Sequence, residues 1–292
     1  MFVVDSQVHI WPANTPERPW PPGTKSHKKR ASFSKDELLQ EMETADVDRV
    51  VLVPPSWQGD SNEFALEAAR LHPDRFAVMG RIDPARPDGV TVLSDLKQQS
   101  GMKGLRLTFS TGQSLATSEV AWLWPAAERA GMPLALAARS EMLQDVANIA
   151  RKHPGIKLAI DHFAVVRNAL DDAAFAELPR LLALEKLPNI AVKVSALPCL
   201  SSEAYPYKGL HKYVRQVYEA FGPERMFWGS DWSRLPCSYR QAVTVFTEEM
   251  PWLRAADKEL IMGGAICRWL DWEPAQSRTL GQAKETVVEN NR

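Results

Sequence analysis

Near the start of the chain, in Phe2-Val3-Val4-Asp5-Ser6-Gln7-Val8-His9-Ile10-Trp11, an amide and an imidazole stand two residues apart behind a short apolar run. If this segment is extended, its period of two puts Gln7 and His9 on one face and Ser6 and Val8 on the other. Two imidazoles at this spacing would clamp a metal ion. Gln7 in the first place offers only a weak carbonyl oxygen and lacks the nitrogen donor that zinc prefers. Further along, Arg106, Arg139, His162, Ser195, Asp231 and Arg234 add guanidinium groups, an imidazole, a hydroxyl and a carboxylate. A partly buried Asp231 held ionised by nearby cations is a natural general base for water. His9 and His162, neutral or protonated, and the Gln7 amide suit a scissile carbonyl whose oxygen becomes an oxyanion. Arg106, Arg139 and Arg234 suit bidentate capture of a carboxylate or sulfonate, so a small anionic substrate is expected.

These groups act together only if the fold brings them to one place. Strand-like apolar segments recur at 3–9, 50–54, 77–82, 103–107, 134–138, 157–162, 191–195 and 226–231, and amphipathic, helix-like stretches fall between them at 36–45, 63–71, 122–130, 141–153 and 210–221. Eight such units in one chain predict an α/β fold, a (β/α)8 TIM barrel of a single domain over residues 1–275, with a doubly wound open sheet as the alternative. Residues 276–292 read as a polar C-terminal tail. Read to their C-terminal ends, the strands carry Gln7 and His9 (first), Arg106 (fourth), His162 (sixth), Ser195 (seventh) and Asp231 (eighth), with Arg139 just after the fifth. In a barrel those ends converge on one cavity. The Pro- and Trp-rich stretch 11–22 is long for a loop at that face and is expected to cover the site. Trp11, Trp57 and Trp232 are candidates for an apolar wall, and Tyr205 or Tyr207 for a hydroxyl donor to substrate.

Composition excludes several classes. With 292 residues, 45% of them hydrophobic, the chain can bury a large core. A net charge of −1, with one short basic run at His27-Lys28-Lys29-Arg30, argues against nucleic acid as a partner. Cys199, Cys237 and Cys267 are far apart and form no paired motif, which fits reduced thiols. No apolar run is long enough to span a bilayer and no signal peptide precedes the first strand, so a soluble, cytoplasmic protein with no membrane partner is expected, and a homo-oligomer is compatible.

Several short motifs, in this order and at these strands, resemble the amidohydrolase superfamily: Gln7-Val8-His9, Lys103-Gly104-Leu105-Arg106, Ile160-Asp161-His162-Phe163, Lys193-Val194-Ser195-Ala196 and Gly229-Ser230-Asp231-Trp232. More narrowly, the chain is similar to the branch containing pyrone-dicarboxylate lactonase and sugar lactonases, related to aminocarboxymuconate-semialdehyde decarboxylase. The resemblance runs from residue 2 to about 272, through Gly263-Gly264-Ala265 and the following Arg268-Trp269-Leu270. It implies a hydrolase that opens a lactone, with Asp231 activating water, His9 and His162 polarising the carbonyl, and Arg106 facing an acid group of the substrate. Gln7 completes the catalytic candidates, while Arg139, Ser195, Tyr205, Arg234 and Trp11 complete the substrate-binding ones.

Metal-dependent relatives carry His-x-His on the first strand and a His at the end of the fifth. Here those positions hold Gln7 and the segment Leu134-Ala135-Leu136-Ala137-Ala138-Arg139. The expectation is therefore operation without a cofactor; the alternative is zinc held by His9, His162 and Asp231. Two rival functions stand beside lactone hydrolysis. One is a metal-dependent decarboxylase of an aromatic or muconate-type acid, and the other a non-catalytic barrel that binds a small acid.

Overall fold

The computed structural model describes residues 1–22, 24, 30–109, 114–166 and 168–272. The expected tail at 276–292 and residues 27–29 of the basic run lie outside the described residues. Among the described residues the strands are β1 (Val4–Val8), β2 (Arg49–Leu52), β3 (Phe76–Gly80), β4 (Met102–Thr108), β5 (Leu134–Ala137), β6 (Leu158–Ile160), β7 (Ile190–Ser195) and β8 (Met226–Gly229). They pair in parallel in the order β1-β2-β3-β4-β5-β6-β7-β8, as a TIM barrel requires, which removes the open-sheet alternative. Among the described residues no β8–β1 ladder closes the ring. The seam is bridged by Asp231 N–H donating to Gln7 O at 2.9 Å and by Ser230 N–H donating to the Asp5 carboxylate at 2.9 Å.

Helices α1 (Lys35–Ala45), α2 (Glu63–Leu71), α3 (Gly89–Gln98), α4 (Leu123–Ala130), α5 (Leu143–Lys152), α6 (Asp171–Ala174), α7 (Leu178–Leu182), α8 (His211–Phe221) and α9 (Tyr239–Thr247) lie along the chain between and after the strands. Two begin with reciprocal caps. Ser34 accepts from Glu37 N–H at 3.2 Å while the Glu37 carboxylate accepts from Ser34 N–H at 2.8 Å, and Ser238 and Gln241 repeat the pattern at the start of α9. The second cap fixes Tyr239, whose hydroxyl reaches into the seam and donates to Asp5 at 2.7 Å.

Because the strands are covered on both faces, they read as nearly continuous apolar runs. Val50, Leu52, Val78, Leu105, Leu107, Leu158, Val192 and Val194 join the layer shared with the helices, while Val51, Ala77, Met79, Ala135, Ala159, Ala191 and Phe227 fill the inside of the barrel. That inner cluster is closed at its lower end by Ala265, Ile266, Cys267, Leu270 and Trp272, which follow the Gly263-Gly264 pair. Arg106 pairs in register with Ala135, which pairs with Ala159, which pairs with Ala191. Three small side chains in a row leave room beside them for the long side chains of Arg106 and Lys193.

Segment 11–22 does not roof the barrel as expected. Trp11 is fully buried, exchanges backbone hydrogen bonds with Phe33 at 3.0 and 2.9 Å, and its ring lies 5.6 Å from that of Phe33. Phe33 in turn stacks on Trp232 at 4.1 Å, and Trp20 packs against Trp57 at 5.1 Å. These rings satisfy one another at the barrel's rim instead of walling the central cavity. No helix among the described residues is long and apolar enough to cross a membrane.

Candidate active site

A cavity of about 580 Å³ opens at the C-terminal ends of the strands. His9, Arg106, Thr108, Arg139, Asp161, His162, Asp231 and Arg234 line it, from β1, β4, β5, β6 and β8 or the residues just after them. The chain reaches this rim through left-handed backbone at three consecutive strands: His162 (φ 51°) after β6, Ala196 (φ 59°) after β7 and Asp231 (φ 50°) after β8. Non-glycine residues there cost roughly 1–2 kcal/mol each, and such conformations gather at functional sites. The sharp turns aim His162 and Asp231 across the mouth instead of continuing the pleat.

Asp231 is buried at the centre of the site. Its Oδ1 lies 3.4 Å from His9 Nε2, its Oδ2 lies 3.9 Å from His162 Nε2, and half-exposed Arg234 approaches Oδ2 at 3.4 Å. Among the described residues Oδ1 has no hydrogen-bond partner. Burial pushes the Asp231 carboxyl up, but His162, His9, Arg234 and Arg106 outweigh it and hold the group below its ordinary value, so it is ionised at neutral pH.

The two imidazoles are held at their outer nitrogens. His9 Nδ1 lies 2.6 Å from the Val53 carbonyl, which can only accept, so Nδ1 carries a proton and neutral His9 presents a lone pair at Nε2. His162 Nδ1 lies 2.8 Å from Ser195 Oγ. When that hydroxyl donates, His162 carries its proton on Nε2, on the side of Asp231. Burial lowers His162, with Asp231 and Asp161 offsetting part of the effect, so the ring is neutral at pH 7.

Beneath this layer lies a buried ionic network whose partners the sequence does not reveal. Arg106 Nε donates to Asp161 Oδ2 at 2.9 Å, Lys193 Nζ sits 3.3 Å from Asp161 Oδ1, and Lys193 Nζ donates to Gln7 Oε1 at 2.9 Å. Burial would raise Asp161, but Lys193 and Arg106 hold it well below the usual carboxylate range. Lysine is a donor only, so it fixes the Gln7 amide with oxygen toward Nζ and nitrogen toward His9 Nε2, 3.5 Å away.

This arrangement corrects several expectations. Gln7 does not line the cavity; its oxygen is held by Lys193 and its N–H groups face His9, which makes it a support for His9. Ser195 is fully buried and hydrogen-bonds His162 instead of lining the cavity. Tyr205 points away, toward Thr244 Oγ1 at 3.0 Å and Glu249 at 3.2 Å. Trp11 is core. Arg139 lines the cavity and also donates to Glu141 and to the Phe109 carbonyl. Asp161 and Lys193 are the buried charges of this network that the sequence left without a role. Their one signal was a charged residue inside an otherwise apolar strand or at its end.

Gln7 stands where a second first-strand imidazole would complete a metal clamp. Among the described residues no group of three or more His, Cys, Asp or Glu side chains is placed to hold an ion. Gln7 presents amide hydrogens, not a lone pair, toward the position a ligand would occupy, with the Lys193 ammonium directly behind it.

A family model described as amidohydrolase matches residues 4–272. An L-fucono-1,5-lactonase from Burkholderia ambifaria is 26% identical over 244 residues, spanning 79% of this chain and 80% of that protein. Two solved structures share the fold at 20% identity and 93% coverage of this chain. One is an amidohydrolase from Burkholderia multivorans with bound zinc (TM-score 0.79, 99% of that chain covered). The other is a probable 2-pyrone-4,6-dicarboxylic acid hydrolase from Acinetobacter baumannii with citric acid bound (TM-score 0.74, 100% covered).

Proposed function

The chain belongs to the amidohydrolase family, and from that premise we propose that it is a hydrolase that opens a small carboxylated lactone without a metal ion, with Asp231 as the base. The observation that carries this reading is the buried Asp231 carboxylate, ionised, with Oδ1 lacking a hydrogen-bond partner among the described residues and an imidazole beside each oxygen. A pure acid-binding barrel gains nothing from a buried carboxylate facing its ligand. The name of the Burkholderia ambifaria relative supports lactone chemistry.

Water that donates to Asp231 Oδ1 is held by that carboxylate with its oxygen lone pair turned outward at the lactone carbonyl, while His9, whose Nε2 faces the Gln7 amide, packs beside Oδ1. As the new C–O bond forms, Asp231 takes the water proton, and His162 Nε2–H donates to the carbonyl oxygen as it becomes an oxyanion. The ring C–O bond then breaks, and the departing alkoxide takes the proton back from Asp231. The product is the hydroxy acid. Fixed donors at a developing oxyanion contribute roughly 2.7–4 kcal/mol each, so one imidazole is a substantial part of the catalysis. Arg106, Arg139 and Arg234 face the same cavity and favour a substrate with an acid group.

The test is a hydrolysis screen of carboxylated lactones with chelator-treated enzyme, following both lactone loss and carbon dioxide. Turnover of a lactone by metal-stripped protein is expected. Activity lost in chelator and restored by zinc would overturn the metal-free reading, and release of carbon dioxide would replace it with a decarboxylase.

A further inference from the structure

Arg81 follows β3 directly and plays no part in the chemistry above. Its Nε donates to the Gly59 carbonyl at 3.1 Å and its Nη1 to Thr108 Oγ1 at 3.3 Å. The same hydroxyl oxygen accepts from Arg106 Nη1 at 2.8 Å. Two guanidinium groups from adjacent strands thus converge on one oxygen in the cavity wall, to which Thr108 and Arg106 both contribute.

The two charges are balanced differently. Arg106 is paired with Asp161, although Lys193 draws on the same carboxylate. Among the described residues no carboxylate forms an ion pair with Arg81; the acid that influences it, Asp60, is engaged by Arg86 at 3.4 Å. Burial and the neighbouring Arg106 push the Arg81 guanidinium down to about 10, so it stays charged at neutral pH while repelling its neighbour. Two like charges held this close in a partly dry wall are relieved when an anion sits against both, and the planar guanidinium fork matches carboxylate geometry.

We infer that Arg81 and Arg106 form a two-guanidinium clamp for a ring-bound carboxylate, with Arg81 the residue that sets preference for acid over neutral substrates. This rests on the lactone reading for its substrate and extends it to position. In the eight-strand ring β4 stands opposite β8, so the clamp lies across the mouth from Asp231. The acid group then sits on the far side of the substrate from the carbonyl under attack.

The experiment compares wild type, Arg81→Met and Arg81→Gln on a six-membered lactone carrying a ring carboxylate and on its methyl ester, with calorimetric titration of benzoate and benzamide beside it. Arg81→Gln keeps a donor for Gly59 and serves if the Met variant fails to fold. The ratio of kcat/KM for acid over ester should fall by about tenfold or more, in keeping with loss of one charged hydrogen bond, and should fall through KM. Benzoate should bind wild type in preference to benzamide, and the preference should shrink in the variants. Equal loss on acid and ester, or an unchanged benzoate preference, overturns the clamp and leaves lactone hydrolysis standing. If wild type opens no lactone, the functional reading fails, and the benzoate titration alone decides the clamp.

Discussion

At the scale of single residues, the site depends on where three protons sit. Asp231 must be without one, His162 must carry one on Nε2, and His9 must carry one on Nδ1. Asp231→Asn keeps the shape and removes the base, so turnover should drop about 10²- to 10⁴-fold while circular dichroism stays native; near-normal rates would remove Asp231 from the reaction. The shifts also set the pH profile. His162 is pushed below 6.5 and Asp231 below 3.8, and both act in their deprotonated or neutral forms, so these forms persist upward from those values. Thus kcat/KM should be flat above pH 6.5 and fall only on the acid side. A rate that climbs through pH 7 to 8 would mean a different base. Ser195→Ala leaves the His162 tautomer unspecified and should lower kcat by about tenfold with KM little changed, since Ser195 bonds the imidazole and does not line the cavity.

At the scale of elements, the seam between β8 and β1 positions the proposed base, because Asp231 follows β8 by two residues and Gln7 lies on β1. Gly229 makes the close approach possible. A Cβ added there would meet Ser6 Oγ at 2.7 Å, Gln7 Cβ at 3.2 Å and Ser195 Cβ at 3.2 Å. All three neighbours are fully buried and cannot swing away. Gly229→Ala should therefore destabilise by about 1–3 kcal/mol, the range for overpacking a tight core, and should lower activity beyond that loss by displacing Asp231. A urea midpoint unchanged from wild type would show that the seam has slack. The strands themselves were legible because both their faces are covered, which turns each into an apolar run with a polar end. The direction of individual side chains was not. In Ala191-Val192-Lys193-Val194-Ser195 simple alternation permits either face inward, and only the packing of Val192 and Val194 among the helix-facing residues sends Lys193 into the barrel. The two tryptophans Trp11 and Trp232 fail for a related reason: an aromatic beside a candidate mouth looks the same whether it packs on Phe33 or on a substrate.

At the scale of the whole molecule, the barrel closes through a buried acid instead of a continuous ladder. Asp5 Oδ1 accepts from Gln7 N–H and Ser230 N–H, both at 2.9 Å, and Oδ2 accepts from Tyr239 at 2.7 Å. Burial outweighs those bonds and raises the Asp5 carboxyl from 3.8 to about 6. The sign of the consequence follows from proton counts. The folded chain keeps this proton up to about pH 6 while the unfolded chain releases it near 3.8, so folding binds more protons in that window and stability falls as pH rises through it. At 1.36 kcal/mol per unit the full effect is about 3 kcal/mol, present above pH 6. Asp161, Asp231 and His162 act in the opposite sense, each being lowered, and they obscure the trend in the wild type alone. Asp5→Asn isolates it: the amide oxygen still accepts from Gln7 and Ser230, its nitrogen can donate to the Tyr239 oxygen, and nothing titrates. The difference in unfolding free energy, variant minus wild type, should increase by about 2 kcal/mol between pH 4 and pH 7 and then level off. Urea titrations of both proteins across that range measure it, and a difference that stays constant with pH would mean that Asp5 is ionised throughout and that its three donors, not burial, govern the seam.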